Sequence, residues 1–168
     1  MLNRIVILLA LQLFCLGLFT QNAAGTPFNI GEILELKSEV LEETRTLNIY
    51  LPIGYDQDSA KAYNVMYVLD GSAHEDFLHI VGLVQFFELQ LNLPPTIVVG
   101  IANVDRKRDF TFHTDNKEYQ EYIPTSGGSG AFMQFLKKEL KPFISTRYKT
   151  TGRDFLIGQS LGGLLATE

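Results

Sequence analysis

Near its C-terminal end the chain reads Asp154-Phe155-Leu156-Ile157, then Gly158-Gln159-Ser160-Leu161-Gly162, then Gly163-Leu164-Leu165. An apolar run too short for a helix, a serine bracketed by glycines and a second apolar run together constrain the fold more than any other stretch. The spacing predicts a buried strand that turns sharply into a helix. Glycines on both sides let the neighbouring backbone approach without a Cβ in the way, so the serine can stand on a tight, strained turn. A hydroxyl presented there is a candidate nucleophile, with the Leu161 N–H and the helix N-terminus aimed at a substrate oxygen. Glycine and serine also meet by chance, and a structural turn is the competing reading. The flanking strand and helix favour the nucleophile.

The elements before this turn fit a mixed α/β domain. Residues 32–40 and 44–51 favour strand, with Leu47, Ile49 and Leu51 alternating against Thr46, Asn48 and Tyr50, and Glu42-Glu43 suit a reversal between them. Residues 64–69 (NVMYVL) and 96–101 (TIVVGI) are continuous apolar runs, as strands covered on both faces by helices should be. Between them Phe77, Ile80, Val81, Val84, Phe87 and Leu91 recur at helical spacing, and Pro94-Pro95 end that crossover. Residues 103–128 are polar without a clear period and form a candidate active-site rim. A helix from Ser129 places Phe132, Phe135, Leu136, Leu140 and Phe143 on one face, and Pro142 is expected to kink it.

The N-terminus is set apart from this pattern. Asn3-Arg4 precede an uncharged apolar run over residues 5–19, followed by polar Thr20-Gln21-Asn22 and small Ala23-Ala24-Gly25. That is the layout of a secretory signal peptide over residues 1–24, with cleavage after Ala23, Ala24 or Gly25, rather than of a membrane span of roughly 20 apolar residues. Export to the periplasm or outside the cell is the corresponding localisation, with no membrane association after cleavage. The single cysteine, Cys15, lies inside this run, so residues 26–168 would hold no disulfide. Phe14 before Cys15 argues against lipid attachment. A net charge of -5 and no basic cluster beyond Arg106-Lys107-Arg108 give no footprint for nucleic acid.

Four longer motifs, YVLDGSAHEDF (67–77), IVVGIANVDRKRDFT (97–111), SGGSGAFMQFLKKELKPFI (126–144) and FLIGQSLGG (155–163), resemble esterases of the α/β-hydrolase superfamily. The resemblance is to those that group with siderophore trilactone esterases and S-formylglutathione hydrolase-like enzymes. It implies an α/β-hydrolase fold, ester hydrolysis through an acyl-enzyme on Ser160, and no metal or organic cofactor. Family members commonly carry histidine directly before the nucleophile, where this chain has Gln159. By the same resemblance the loop after the third strand supplies a second oxyanion N–H, which maps onto Ser72 to within one residue. Gly71, Ala73, His74 and Gln159 are candidate substrate contacts. Asp70-Gly71 read equally well as a strand-ending turn, and His74 as an exposed loop histidine. Residues 105–109 read as exposed ion pairs that fix the rim, with Arg106 or Arg108 able to meet an anionic substrate.

In this superfamily the triad acid and histidine follow the serine in the chain. Only eight residues follow Ser160 and none is histidine. Residues 26–168 are therefore expected to be the N-terminal part of an α/β-hydrolase domain, inactive alone, with the strand before the turn left at the sheet edge. A small-molecule or polysaccharide-linked ester is the expected substrate. Two alternatives stay open: a non-catalytic binding protein on a hydrolase scaffold, and an acyltransferase. The residues say nothing about oligomeric state.

Overall fold

The computed structural model of the protein describes residues 25–168. The signal-peptide reading of residues 1–24, with Cys15, lies outside them.

Two strands begin the fold, β1 (Glu32–Ser38) and β2 (Glu43–Tyr50), paired antiparallel from Glu32 opposite Ile49 to Ser38 opposite Glu43. Their reversal uses Glu42 at a positive φ of 55°. Next come β3 (Tyr63–Val68), helix α1 (Phe77–Leu89) and β4 (Thr96–Ile101), with β3 and β4 parallel. All six residues of both strands are buried. Their side chains alternate between two apolar layers. Val65, Tyr67, Ile97 and Val99 point to one face, while Met66, Val68 and Val98 meet Phe77, Val81 and Val84 of α1 on the other. Helical cover on both faces is why these runs are apolar without a gap.

The rim segment contains two short helices, α2 (Arg106–Asp109) and α3 (Lys117–Tyr122). Asp105 accepts the Arg108 N–H and Asn116 accepts the Tyr119 N–H, so each helix starts on a side-chain cap. Then α4 (Ser129–Phe135) passes through a π-helical turn (Leu136–Leu140) into α5 (Lys141–Arg147). The expected disturbance at Pro142 takes this form, a widened turn placed where the ring would crowd the preceding carbonyls and lacks an N–H. The wider turn carries Glu139, whose carboxylate accepts from Ser38 Oγ at 2.5 Å and from the N–H groups of Glu39 and Val40 at 2.9 and 3.0 Å. Helix and β1–β2 turn are thereby tied together. Strand β5 (Thr150–Ile157) and helix α6 (Leu161–Thr167) complete the described residues.

The sheet order is β1-β2-β4-β3-β5. Among the described residues β5 pairs on one side only, with β3 in parallel, and Phe155 and Leu156 stay partly exposed. Strand β3 thus lies between β4 and β5, with Val68 in register with both Gly100 and Ile157. Three parallel strands end in one row, which gathers their following loops on a single edge.

Candidate active site

Three chain segments meet at that edge: residues 70–76 after β3, residues 102–106 after β4, and the turn between β5 and α6. Neighbouring strands stand about 4.8 Å apart, and Leu69 N–H donates to Ile157 O at 2.9 Å. The first loop therefore begins beside Gly158.

Ser160 occupies the apex of the third segment with φ 55° and ψ -120°, a conformation disfavoured for any residue with a Cβ. Such a turn persists only where its surroundings over-determine it. Gly162 N–H closes it on Gln159 O at 2.9 Å, and Leu164 N–H reaches Ser160 O at 3.0 Å as the helix starts. A Cβ on Gly158 would collide with the Gly162 backbone. One on Gly162 would touch Asp70 Oδ2 and Leu69 Cβ, both at 3.4 Å. Leu161, the first residue of α6, is among those whose N–H has no intrahelical acceptor.

The loop after β3 is built with equal economy. Asp70 has a positive φ of 54°. Gly71 is buried against β4, its N–H donating to Ile101 O at 2.9 Å and its carbonyl accepting from Asn48 Nδ2 at 2.8 Å. A Cβ there would strike Ile101 N and Gly100 Cα. Asp70 O accepts from Asp76 N and Ser72 O from Glu75 N, at 2.9 and 3.1 Å. The carbonyls of three successive residues are consumed. The Ser72 N–H meets the Glu75 carboxylate, with Oε2 at 3.4 Å. Ala73 and His74 are exposed, as is Gln159 on the other side.

Arg106 joins the two sides. Its Nε donates to Asp70 Oδ1 at 2.6 Å, and its Nη2 donates to Asp70 Oδ2 at 2.9 Å and to Gln159 O at 3.3 Å. Asn103 Nδ2 adds bonds to Asp70 Oδ1 at 2.7 Å and to Glu75 Oε1 at 3.1 Å. Bonding to Asp70 holds the Arg106 guanidinium above its ordinary range.

The expectation of exposed ion pairs over residues 105–109 is corrected here. Asp109 and its partner Arg45 on β2 are both fully buried, with Arg45 Nη2 2.6 Å from Asp109 Oδ2. Arg45 also pairs with Glu43 and lies over the Phe132 ring at 5.2 Å. Arg108 bonds Asp109 Oδ1 and Glu43 Oε1, both at 2.8 Å. These charges lock α2 to the body of the domain. No hydrogen bond among the described residues joins Ser160 to a histidine; His113 contacts Asp115 at 3.3 Å on the exposed rim.

Sheet topology, helical cover on both faces and the strained serine turn define an α/β-hydrolase fold. The chain belongs to the family described as "Putative esterase", which matches residues 38–167. It is 28% identical over 140 residues to the ferri-bacillibactin esterase BesA of Bacillus subtilis, covering 75% of this chain and 48% of that protein. An IroE-like serine hydrolase from Shewanella oneidensis superimposes with a TM-score of 0.68 at 38% identity, over 80% of this chain and 44% of that one. The BES protein from Bacillus cereus gives 0.68 at 27% identity, over 87% and 57%. The chain thus spans about half the length of these relatives.

Proposed function

We propose that the whole protein is a serine hydrolase of carboxylic esters. The observation that carries this reading is the backbone of Ser160, held at positive φ between a parallel strand and a helix start. In the proposed reaction Ser160 Oγ bonds to the ester carbonyl carbon while the carbonyl π pair moves to oxygen. The oxyanion is met by the Leu161 N–H and by an N–H of the loop at Ser72. Collapse expels the alcohol and leaves an acyl-enzyme, which water then cleaves.

The serine proton needs a general base within hydrogen-bond reach. We assign that role to a histidine outside the 168 residues, oriented by an acid, and expect these residues alone to be inactive. The similarity to BesA, a ferri-bacillibactin esterase, favours a siderophore ester as substrate. We further propose export through the apolar N-terminal segment, before which the basic Arg4 stands.

Labelling of the full-length protein by a fluorophosphonate probe, abolished in Ser160→Ala, is the expected result. Absence of label in the folded full-length protein, wild type and altered only outside Ser160 alike, overturns the assignment. Hydrolysis of a siderophore trilactone faster than of a short p-nitrophenyl ester would support the substrate class.

A further inference from the structure

The N–H assigned to the oxyanion site is not open. Ser72 donates it to Glu75 Oε2 at 3.4 Å, and the other carboxylate oxygen of Glu75 is held by Asn103 Nδ2 at 3.1 Å. The contact to Ser72 is long for an N–H···O bond, which usually falls between about 2.7 and 3.2 Å. It is the weaker of the two anchors and the one a competing oxygen would break first.

Charge strengthens the case. Asp70 is neutralised by the two-point grip of Arg106. The hydrogen-bond donors that reach the Glu75 carboxylate among the described residues are the Ser72 N–H and the neutral Asn103 amide. Asp76 is a further carboxylate in the field of Arg106. Carboxylates thus outnumber the guanidinium where an oxyanion has to form, and Glu75 is the one seated on the Ser72 N–H.

We propose that Glu75 is a displaceable plug of the oxyanion site: at rest its carboxylate takes the Ser72 N–H, and the substrate's carbonyl oxygen has to expel it. This rests on the reading of Ser160 as nucleophile. Asn103 is the tether that keeps the plug in place, and Glu75 is a positioning residue that slows acylation.

Ser72-Ala73-His74-Glu75 also has the form of a helix capping box, in which glutamine serves as well as glutamate. That equivalence separates the plug from a structural cap. In full-length protein, Glu75→Gln keeps one acceptor oxygen for the turn but removes the charge, turns an NH2 toward Asn103 and weakens the bond to Ser72, because a neutral acceptor binds an N–H about half as strongly as an ionised one. The plug predicts that E75Q raises the second-order rate of fluorophosphonate labelling by about three- to tenfold, a fraction of the roughly 10²-fold worth of one oxyanion donor, with Tm unchanged. Glu75→Ala gives at least the same increase if its turn survives; where its Tm falls, E75Q carries the test. Ser160-dependent labelling at equal or lower rate in E75Q overturns the plug alone. Absence of label in folded wild type and folded E75Q alike overturns the nucleophile reading and the plug with it. Label appearing only in E75Q, and lost on adding Ser160→Ala, supports both.

Discussion

The Arg106 guanidinium grips both carboxylate oxygens of Asp70, at 2.6 and 2.9 Å, and extends the same side chain to the Gln159 carbonyl at 3.3 Å. One residue of the β4 loop thereby fixes the β3 loop against the serine turn. A planar fork can serve both oxygens at once and a point charge cannot. Arg106→Lys should lower the labelling rate of the full-length protein about tenfold, and Arg106→Ala should also cost about 1–2 kcal/mol in stability. Stopped labelling assays and thermal melts of the two variants check this; equal rates in R106K and wild type would remove Arg106 from the positioning of the site.

Backbone strain at Ser160 predicts opposite effects on stability and on chemistry. Its φ of 55° with ψ -120° suits glycine better than serine. Ser160→Gly should raise stability by about 1–3 kcal/mol while abolishing labelling. Denaturant midpoints of wild type, S160A and S160G measure it, with S160A close to wild type.

At Gly158 the constraint is space. An added methyl meets the Gly162 backbone, which belongs to the turn itself and has nowhere to move. Gly158→Ala should cost about 3 kcal/mol or more. Gly163→Ala, whose Cβ would lie 3.4 Å from Gly158 O, should cost less. Paired thermal melts decide the order.

Arg45 and Asp109 form a buried ion pair beneath the rim. Removing Asp109 leaves the buried Arg45 with Glu43 as its remaining carboxylate, so Asp109→Ala should destabilise by about 3 kcal/mol, the low end for breaking a buried pair. Arg45→Met, which keeps volume against Phe132 and Phe135, combined with Asp109→Ala should recover part of that loss. A double-mutant cycle by urea unfolding gives the coupling.

Acid sensitivity is expected at the cap of α2. The bond from the Arg108 N–H holds the Asp105 carboxyl below the usual carboxylate range. A folded pKa below the unfolded value of about 3.9 means that this contribution is complete above that value and is lost as pH falls through the lower folded one. Asp105→Ala should lose about 1 kcal/mol at pH 7 and converge on wild type towards pH 2. Urea midpoints across that range test the convergence.

Periodicity made the sheet legible. The stretch 96–101 is read from its valines and isoleucines and forms a strand with those bounds, because burial on both faces writes itself into composition. Residues 103–128 showed no period because α2 and α3, of four and six residues, rest on the Asp105 and Asn116 caps rather than on an apolar stripe. The run 154–157 marked only the second half of β5, whose first half, Thr150 to Arg153, is polar; Asp154 within the run pairs with Lys141 at 2.7 Å. Arg106 and Arg108 looked alike as neighbours in a charged run. The helical turn of α2 sends one to the serine turn and the other to the buried Asp109, and only their separation by two positions hinted at opposite faces.

By itself the sequence determined the strand-turn-helix at Ser160 and the layered α/β order around it, since both follow from local rules: apolar period, run length, and glycine where a Cβ cannot fit. Tertiary structure decided which distant charges close the site. Asp70 and Arg106 lie 36 residues apart, and Arg106 and Gln159 lie 53 apart. Their pairing depends on β3 lying between β4 and β5, a strand order that loop closure and packing select and that no local pattern spells out.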